Sequence, residues 1–491
     1  MQHRILSQTG VLRMNQSILI DRLGLWARFG CEETAKSEGY EIVHFSDDMK
    51  LRYFYEAECQ KNPAAKRIMV IDDPSLYIPF DIRRRCSVII LDYKLVFPSL
   101  SEEGLMELPG LDYDHLAYVA DNAILPKMDK GSTLRFCSEE LQTSRWAKSF
   151  GDAILDRAVI LSEKASSHRD WTPVAILFGK ASMIQHSGIE LQGYSEKRTR
   201  IELAFKQWIS QKYGLLSGTV DTKRPVLLSK VNDFIRKNND KIALIVMDGM
   251  AFEDLFAIQR TLPNQPLSFD VQSSFSFFPT VTSVARQCIF SGKLPREHDK
   301  PFSLENEEKQ WVAYWKDHGY RANEVAFFKN EKPEVSPQTK VAGIVVNICD
   351  DLMHDELQGL SGLLQGLKTW AQNTQLFDLI SILQRRGFTV YMTADHGNTS
   401  ALAQGRFQKP GVLAEPASRR AVIYQCYAEA LELEKFSTEQ YSGTYLPDNY
   451  KAYLFTSDCC YGDRGKEYIT HGGMTIEEVI VPFVKIGEYH G

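Results

Sequence analysis

Three short apolar runs in the second half of the chain each lead to an aspartate, and this repetition limits the fold more than any other feature. A short apolar run predicts a strand buried on both faces. In a doubly wound α/β sheet the carboxyl ends of parallel strands meet at one edge, so the three acids are expected to lie close together. The runs cover residues 242–247, 341–346 and 388–393, and the aspartates are Asp248, Asp350 and Asp395.

In the first hundred residues, predicted strands alternate with predicted helices. β-branched runs at 67–71 and 87–91 predict strands, and the patterns around 18–29 and 49–61 predict helices. Residues 1–100 are therefore expected to form a small α/β domain.

The strand signal fades over residues 101–240. Long stretches such as 141–165 and 195–213 place apolar residues at helical spacing, which predicts a mainly helical linker domain. Residues 241–491 are predicted to form a doubly wound α/β domain, in which the helical pattern at 376–386 separates two of the strands.

Composition excludes several classes of protein. The net charge of -6 gives no overall basic excess that would draw the chain onto nucleic acid or anionic lipid. The polar start and the absence of a long apolar run predict a cytoplasmic protein without a membrane segment. The nine cysteines are scattered, which predicts reduced thiols, so a metal site would need carboxylates and histidines.

Several histidines stand at ligand spacing from the strand-end acids. His354 follows Asp350 by one helical turn, which puts both side chains on one face of a helix. His396 follows Asp395 directly, and His471 precedes two glycines that permit close backbone approach. With Asp248, these nitrogen and oxygen ligands suit Zn, Mn or a similar divalent ion.

The segment Phe278–Arg286 supplies hydroxyl groups at a predicted strand-to-helix turn. An alcohol is a poor nucleophile at neutral pH, but coordination to a divalent cation lowers its pKa, and the amides at a helix start can hold a phosphate. Both Thr280 and Thr282 could face such a site. The combination predicts phosphoryl transfer.

These motifs resemble the alkaline phosphatase superfamily, and within it the PglZ domain family of BREX-type phage-defence proteins. Their order along the chain matches the superfamily throughout. The segments that carry the resemblance are 246–250, 278–286, 350–354, 393–398 and 470–483.

The resemblance implies a role for each candidate residue. One divalent ion is held by Asp350, His354 and His471, and the second by Asp248, Asp395 and His396, with Thr282 bridging toward the second ion as nucleophile. Thr282 is preferred to Thr280 because related phosphodiesterases use the second threonine of this turn. Those relatives carry an Asn-His pair where this chain has Ala285 and Arg286, so Arg286 is expected to hold the substrate phosphate.

The predicted activity is therefore a two-metal phosphodiesterase or nuclease with a threonine nucleophile, using Zn first, with Mn or Mg as alternatives. A phosphomonoesterase or phosphomutase, or a catalytically silent scaffold subunit of a BREX-like complex, are the other hypotheses. The expected partners are a phosphodiester such as nucleic acid, defence-system proteins and a second copy of the chain. Substrate choice is expected to depend on insertions such as Asn306–Pro337.

Overall fold

The structure is a computed structural model with two compact units. One is formed by Met1–Phe150, and the other by Gly151–Leu262 together with Leu267–Glu488. The residues it describes are 1–71, 73, 75–237, 239–262, 267–329, 333–355, 358–406, 418–424, 435–441, 443–455 and 457–488.

The first unit is built on a four-stranded sheet in which all paired strands are parallel. Its strands lie in the order β2-β3-β1-β4. They are β1 Gln16–Asp21, β2 Glu41–Phe45, β3 Arg67–Ile71 and β4 Ser87–Leu91. Its α-helices are Gln2–Thr9, Leu25–Arg28, Cys31–Ser37, Asp48–Phe54, Phe80–Arg85, Tyr93–Val96, Glu102–Met106, Tyr113–Asn122 and Lys130–Ser138.

The helix predicted around residues 18–29 is wrong. Residues 18–20 belong to β1, where Ile18 and Leu19 are fully buried, and the following helix is only Leu25–Arg28. A short apolar run reads alike as a buried strand or a helix segment, and pairing with β3 and β4 decides for the strand here. The predicted strands at 67–71 and 87–91 are confirmed.

The second unit contains a six-stranded mixed sheet, which confirms the predicted α/β class with its central sheet in the second half of the chain. The strand order is β6-β16-β9-β5-β8-β7, in which β9, β5, β8 and β7 are parallel and β16 is antiparallel to β9 and β6. Two smaller sheets have the orders β14-β10-β15 and β11-β13-β12. The strands are β5 Ile242–Met247, β6 Leu267–Phe275, β7 Val325–Phe328, β8 Val341–Val346, β9 Thr389–Ala394, β10 Thr399–Ala403, β11 Ala421–Tyr424, β12 Thr438–Tyr441, β13 Lys451–Phe455, β14 Cys459–Cys460, β15 Glu467–Thr470 and β16 Ile480–Glu488.

The register of the central sheet aligns the strands that lead to the candidate acids. Met247, the last residue of β5, lies opposite Val346 on β8 and Ala394 on β9. Every residue of β5 and β8 is buried, as expected for strands covered on both faces.

The boundary between the units lies within the helix Ser144–Lys164. The predicted division into domains 1–100, 101–240 and 241–491 stays a prediction. The further α-helices of the second unit are Trp171–His186, Tyr194–Lys212, Val231–Ile235, Phe252–Arg260, Thr282–Ser291, Glu307–Asp317, Ile348–Asp355, Gly359–Asn373, Leu376–Arg385 and Ile476–Val479.

Eight of the nine cysteines lie in the described part of the chain, and all eight are free thiols. Cys426 lies outside it. Among the described residues, no helix combines the length and the apolar character that crossing a bilayer requires.

Candidate functional site

The carboxyl edge of the central sheet brings Asp248 and Asp395 together, because their strands end in register. Both side chains are buried. Asp395 Oδ1 accepts hydrogen bonds from the amides of Gly249, at 3.1 Å, and His396, at 2.9 Å. Gly249 has φ +75°, a left-handed backbone conformation that strains residues with a side chain, so this turn favours glycine.

His396 joins the two acids with one ring nitrogen facing them. Its Nδ1 lies 3.0 Å from the carbonyl oxygen of Gly397, and since a carbonyl only accepts, Nδ1 carries the proton. Nε2 then presents its lone pair 3.6 Å from Asp248 Oδ1 and 3.8 Å from Asp395 Oδ2. Ligand atoms of these three buried residues all lie within 4.8 Å of one another.

Thr282 is the first residue of the helix Thr282–Ser291, at the predicted turn. Its Oγ1 lies 3.0 Å from His396 Nε2 and 3.3 Å from Asp248 Oδ1, so it contacts the same cluster. Thr280 has a different setting, because its Oγ1 donates to the carbonyl of Gly473 and accepts from the amide of Gly472. The two threonines therefore differ in what their hydroxyls contact.

His471 lies beside His396 because β10 and β15 pair antiparallel, with Thr399 opposite Thr470. The two imidazole rings stack with centroids 4.0 Å apart and an interplanar angle of 13°. His471 Nδ1 donates to the carbonyl of Thr280 over 2.7 Å, which leaves Nε2 as the acceptor nitrogen. Nε2 lies 4.0 Å from Asp350 Oδ1.

His354, the third predicted ligand of that ion, belongs to the helix Ile348–Asp355. Its side chain lies outside the described part of the chain. The structure therefore brings Asp350 to His471 and supplies no geometry for His354.

Arg286, predicted to hold substrate phosphate, lies one turn along the helix from Thr282 and is buried. Its Nη1 donates to Asp248 Oδ2 over 2.8 Å. Its Nε and Nη2 donate to the two carboxylate oxygens of Glu307 over 2.6 and 2.9 Å. Although burial lowers the pKa of Arg286, the charges of Asp248 and Glu307 raise it above its ordinary value overall.

Burial and the charge of Asp248 raise the pKa of Asp395 well above its ordinary range. Two buried carboxylates this close repel each other, and a divalent cation between them would remove that repulsion.

The donor set fits such a cation. Both histidines present Nε2 while a backbone carbonyl holds Nδ1–H, an arrangement common among metal-binding imidazoles. No donor within the described part of the chain hydrogen-bonds Asp395 Oδ2. Carboxylate oxygens and imidazole nitrogens together suit Zn and Mn.

Sequence reasoning missed three polar residues around the cluster. Glu307 pairs with Arg286, while Asn398 Nδ2 donates to the carbonyl of Gly249 and to Asp254 Oδ2, over 2.9 and 2.6 Å. Asp254 also accepts from the amide of Ala251, at the start of its own helix. Asn398 adjoins the Asp395-His396-Gly397 motif, but Glu307 has no sequence signal beyond that of an acid in a helix's first turn.

One comparison with known proteins identifies a family. The model of the BREX system PglZ alkaline phosphatase-like domain matches residues 226–486, just over half of the chain. A search of curated proteins gave no match.

Several solved structures also match. Murine ectonucleotide pyrophosphatase/phosphodiesterase 5 is 13% identical with a TM-score of 0.36, and the match covers 50% of this chain and 88% of that one. An inactive form of the murine protein in complex with AMP is 12% identical with a TM-score of 0.37, over 50% and 88%. The human protein is 12% identical with a TM-score of 0.35, over 50% and 87%.

Proposed function

The chain belongs to the family of BREX system PglZ alkaline phosphatase-like domains, and from this premise we propose that it is a metal-dependent phosphodiesterase with Thr282 as its nucleophile. One observation carries the proposal: the Thr282 hydroxyl contacts both His396 and Asp248 within a buried cluster of acids and imidazole.

The proposed ligand set has two halves. Asp248, Asp395 and His396 would hold one ion together with the Thr282 oxygen, and Asp350, His354 and His471 the other. When bound, two divalent cations, Zn or else Mn or Mg, would lower the pKa of the threonine hydroxyl and neutralise charge on the phosphate.

In the proposed reaction Thr282 Oγ1 forms a bond to phosphorus while the bond from phosphorus to the leaving oxygen breaks. Asp248 Oδ1, 3.3 Å from Oγ1, lies within reach of the hydroxyl proton. Water then attacks the phosphothreonine from the side that the leaving group vacated, and the bond between phosphorus and Oγ1 breaks. Arg286 is the proposed contact of the substrate phosphate, through N–H groups beyond the three that bind Asp248 and Glu307.

The test compares turnover of bis(4-nitrophenyl) phosphate and short oligonucleotides, with added Zn or Mn, by wild type, Thr282→Ala and Thr282→Ser. We expect the alanine variant to lose at least about 1000-fold in turnover, and the serine variant to keep measurable activity because it retains a hydroxyl. Thr280→Ala is the matched control, with its folding checked by thermal denaturation. Wild-type turnover by Thr282→Ala, together with loss in Thr280→Ala, would reverse the assignment.

We propose a nuclease role in a cytoplasmic anti-phage system, which the BREX description of the family supports. Oligonucleotide cleavage would support the nuclease role, whereas release of phosphate from monoesters alone would favour a phosphomonoesterase or phosphomutase. A scaffold subunit would turn over neither substrate yet still co-purify with defence-system proteins. Native mass measurement would decide whether the chain is a homodimer.

A further inference from the structure

A row of side chains with alternating charges connects the candidate cluster to the surface of the second unit through three ion pairs. Asp248 pairs with Arg286, Arg286 pairs with Glu307, and Glu307 pairs with Lys329 over 2.5 Å. The Glu307 side chain is 1% exposed and the Arg286 side chain 4%, whereas that of Lys329 is 50% exposed. Only the outer end of this row reaches solvent.

The inner pair depends on Glu307 for its geometry. Glu307 accepts from both Nε and Nη2 of Arg286, a bidentate contact that fixes the plane of the guanidinium group. Removing one partner of a buried ion pair is costly because it leaves a buried charge uncompensated. Two of the three hydrogen bonds that hold Arg286 in the described part of the chain go to Glu307, which makes Glu307 the larger constraint on the guanidinium group and so on the direction of Nη1.

That direction matters because Nη1 holds one oxygen of Asp248. With Oδ2 bound to Arg286 at 2.8 Å, the carboxylate is oriented so that Oδ1 lies 3.3 Å from Thr282 Oγ1 and 3.6 Å from His396 Nε2. Mutation of the outer partners that orient metal ligands typically lowers metal affinity or activity about 10–100-fold.

We propose that Glu307 is a positioning residue, which orients Asp248 for metal binding by fixing Arg286. The inference rests on the proposed function, since it takes Asp248 to be a metal ligand. It also gives part of the segment 306–337 a role in building the site, beyond the substrate selection expected of it.

The test measures Zn affinity by competition with a chromophoric chelator, so that it does not depend on turnover. We expect Glu307→Gln to weaken Zn binding about 10–100-fold. Glu324→Gln is the matched control, because Glu324 lies in the same segment and also pairs with a lysine, Lys340, over 2.8 Å. Unchanged affinity in Glu307→Gln would overturn the proposal.

A double-mutant cycle separates positioning from general destabilisation. Because Glu307 acts through Arg286, adding Glu307→Gln to Arg286→Gln should change Zn affinity less than twofold beyond Arg286→Gln alone. If the double variant instead loses Zn affinity by the product of the two single losses, Glu307 does not act through Arg286.

If Glu307→Gln does not fold, Glu307→Asp decides, because it keeps the charge but is too short for both bonds to Arg286. We expect it to weaken Zn binding about 3–10-fold, and wild-type affinity in the folded variant would count against the proposal. Asp248→Asn tells the two failures apart. If it binds Zn like wild type, the proposed metal site is wrong. If it loses Zn while Glu307→Gln keeps it, only the positioning role is wrong.

Discussion

Both units contain parallel strands that end in or lead to aspartates, but these aspartates have different environments. In the first unit, Asp21 accepts the amides of Leu25 and Trp26, each at 2.8 Å, and Asp92 accepts the amide of Leu95 at 2.8 Å. These carboxylates satisfy the first amides of short helices. In the second unit, Asp248 contacts Arg286 and the hydroxyl of Thr282 instead.

The comparison teaches that a strand-end aspartate is only a potential site. Amides bind both carboxylate oxygens of Asp21 and one of Asp92. Asp395 also accepts two amides, but both bind Oδ1, and no donor in the described part of the chain hydrogen-bonds its Oδ2. Asp248 and Asp395 follow two neighbouring strands that end in register, so their carboxylates lie close together. A cation between them would relieve their mutual repulsion.

The largest expected effect comes from neutralising one aspartate in each unit, which tests whether the two kinds of aspartate differ in function. We expect Asp395→Asn to lower kcat/KM for bis(4-nitrophenyl) phosphate by about 1000-fold, equivalent to about 4 kcal/mol of transition-state stabilisation. Asp92→Asn should leave it unchanged, because Asp92 caps a helix. Steady-state kinetics with added Zn checks both, and comparable losses in the two variants would remove the distinction.

The second prediction concerns stability. Asp21→Ala should lower the free energy of unfolding by about 1–3 kcal/mol, because two buried amides lose their acceptor. Urea denaturation measures the change, with Asp21→Asn as the control that keeps one oxygen and should lose less. A stability-neutral Asp21→Ala would mean that these bonds contribute little to the first unit.

The smallest expected effect is on the pH dependence of stability. Burial and the charge of Glu477 raise the pKa of Glu202 well above its ordinary value, so the folded chain holds this proton more tightly than the unfolded chain does. Its contribution to stability is present below the unfolded pKa and is lost as pH rises through the folded one.

The melting temperature of Glu202→Gln should therefore fall less than that of wild type between pH 5 and pH 9. Both pH values lie above the ordinary glutamate pKa of about 4.3. In the first unit, hydrogen bonds from Ser132 lower the pKa of Asp129, so its contribution is lost instead as pH falls below the ordinary value. Glutamine resembles the protonated acid, so Glu202→Gln should melt like wild type at low pH and above it as pH rises. Asp129→Asn should melt below wild type at neutral pH and approach it as pH falls below the ordinary aspartate value. Shifts of the same sign at neutral pH would contradict the assigned pKa directions.

Much of the second unit follows from its sequence. The predicted strands at 242–247 and 341–346 are confirmed, and the helix predicted at 376–386 is observed as Leu376–Arg385. The two strands are apolar and buried throughout, and the helix buries apolar residues at helical spacing. The helix predicted around 18–29 is wrong over 18–20 because a few apolar residues fit either a strand or a helix, and only the neighbouring strands discriminate between the two.

The α/β class, the family and the residue types available for chemistry follow from the amino-acid sequence alone, because apolar runs and short motifs are local properties of the chain. The folded structure was needed to show that Thr280 hydrogen-bonds a glycine turn while Thr282 contacts His396, and that Arg286 is shared between Asp248 and Glu307. Such partnerships join residues far apart in the chain, and they depend on strand register and helix packing, which no local pattern specifies.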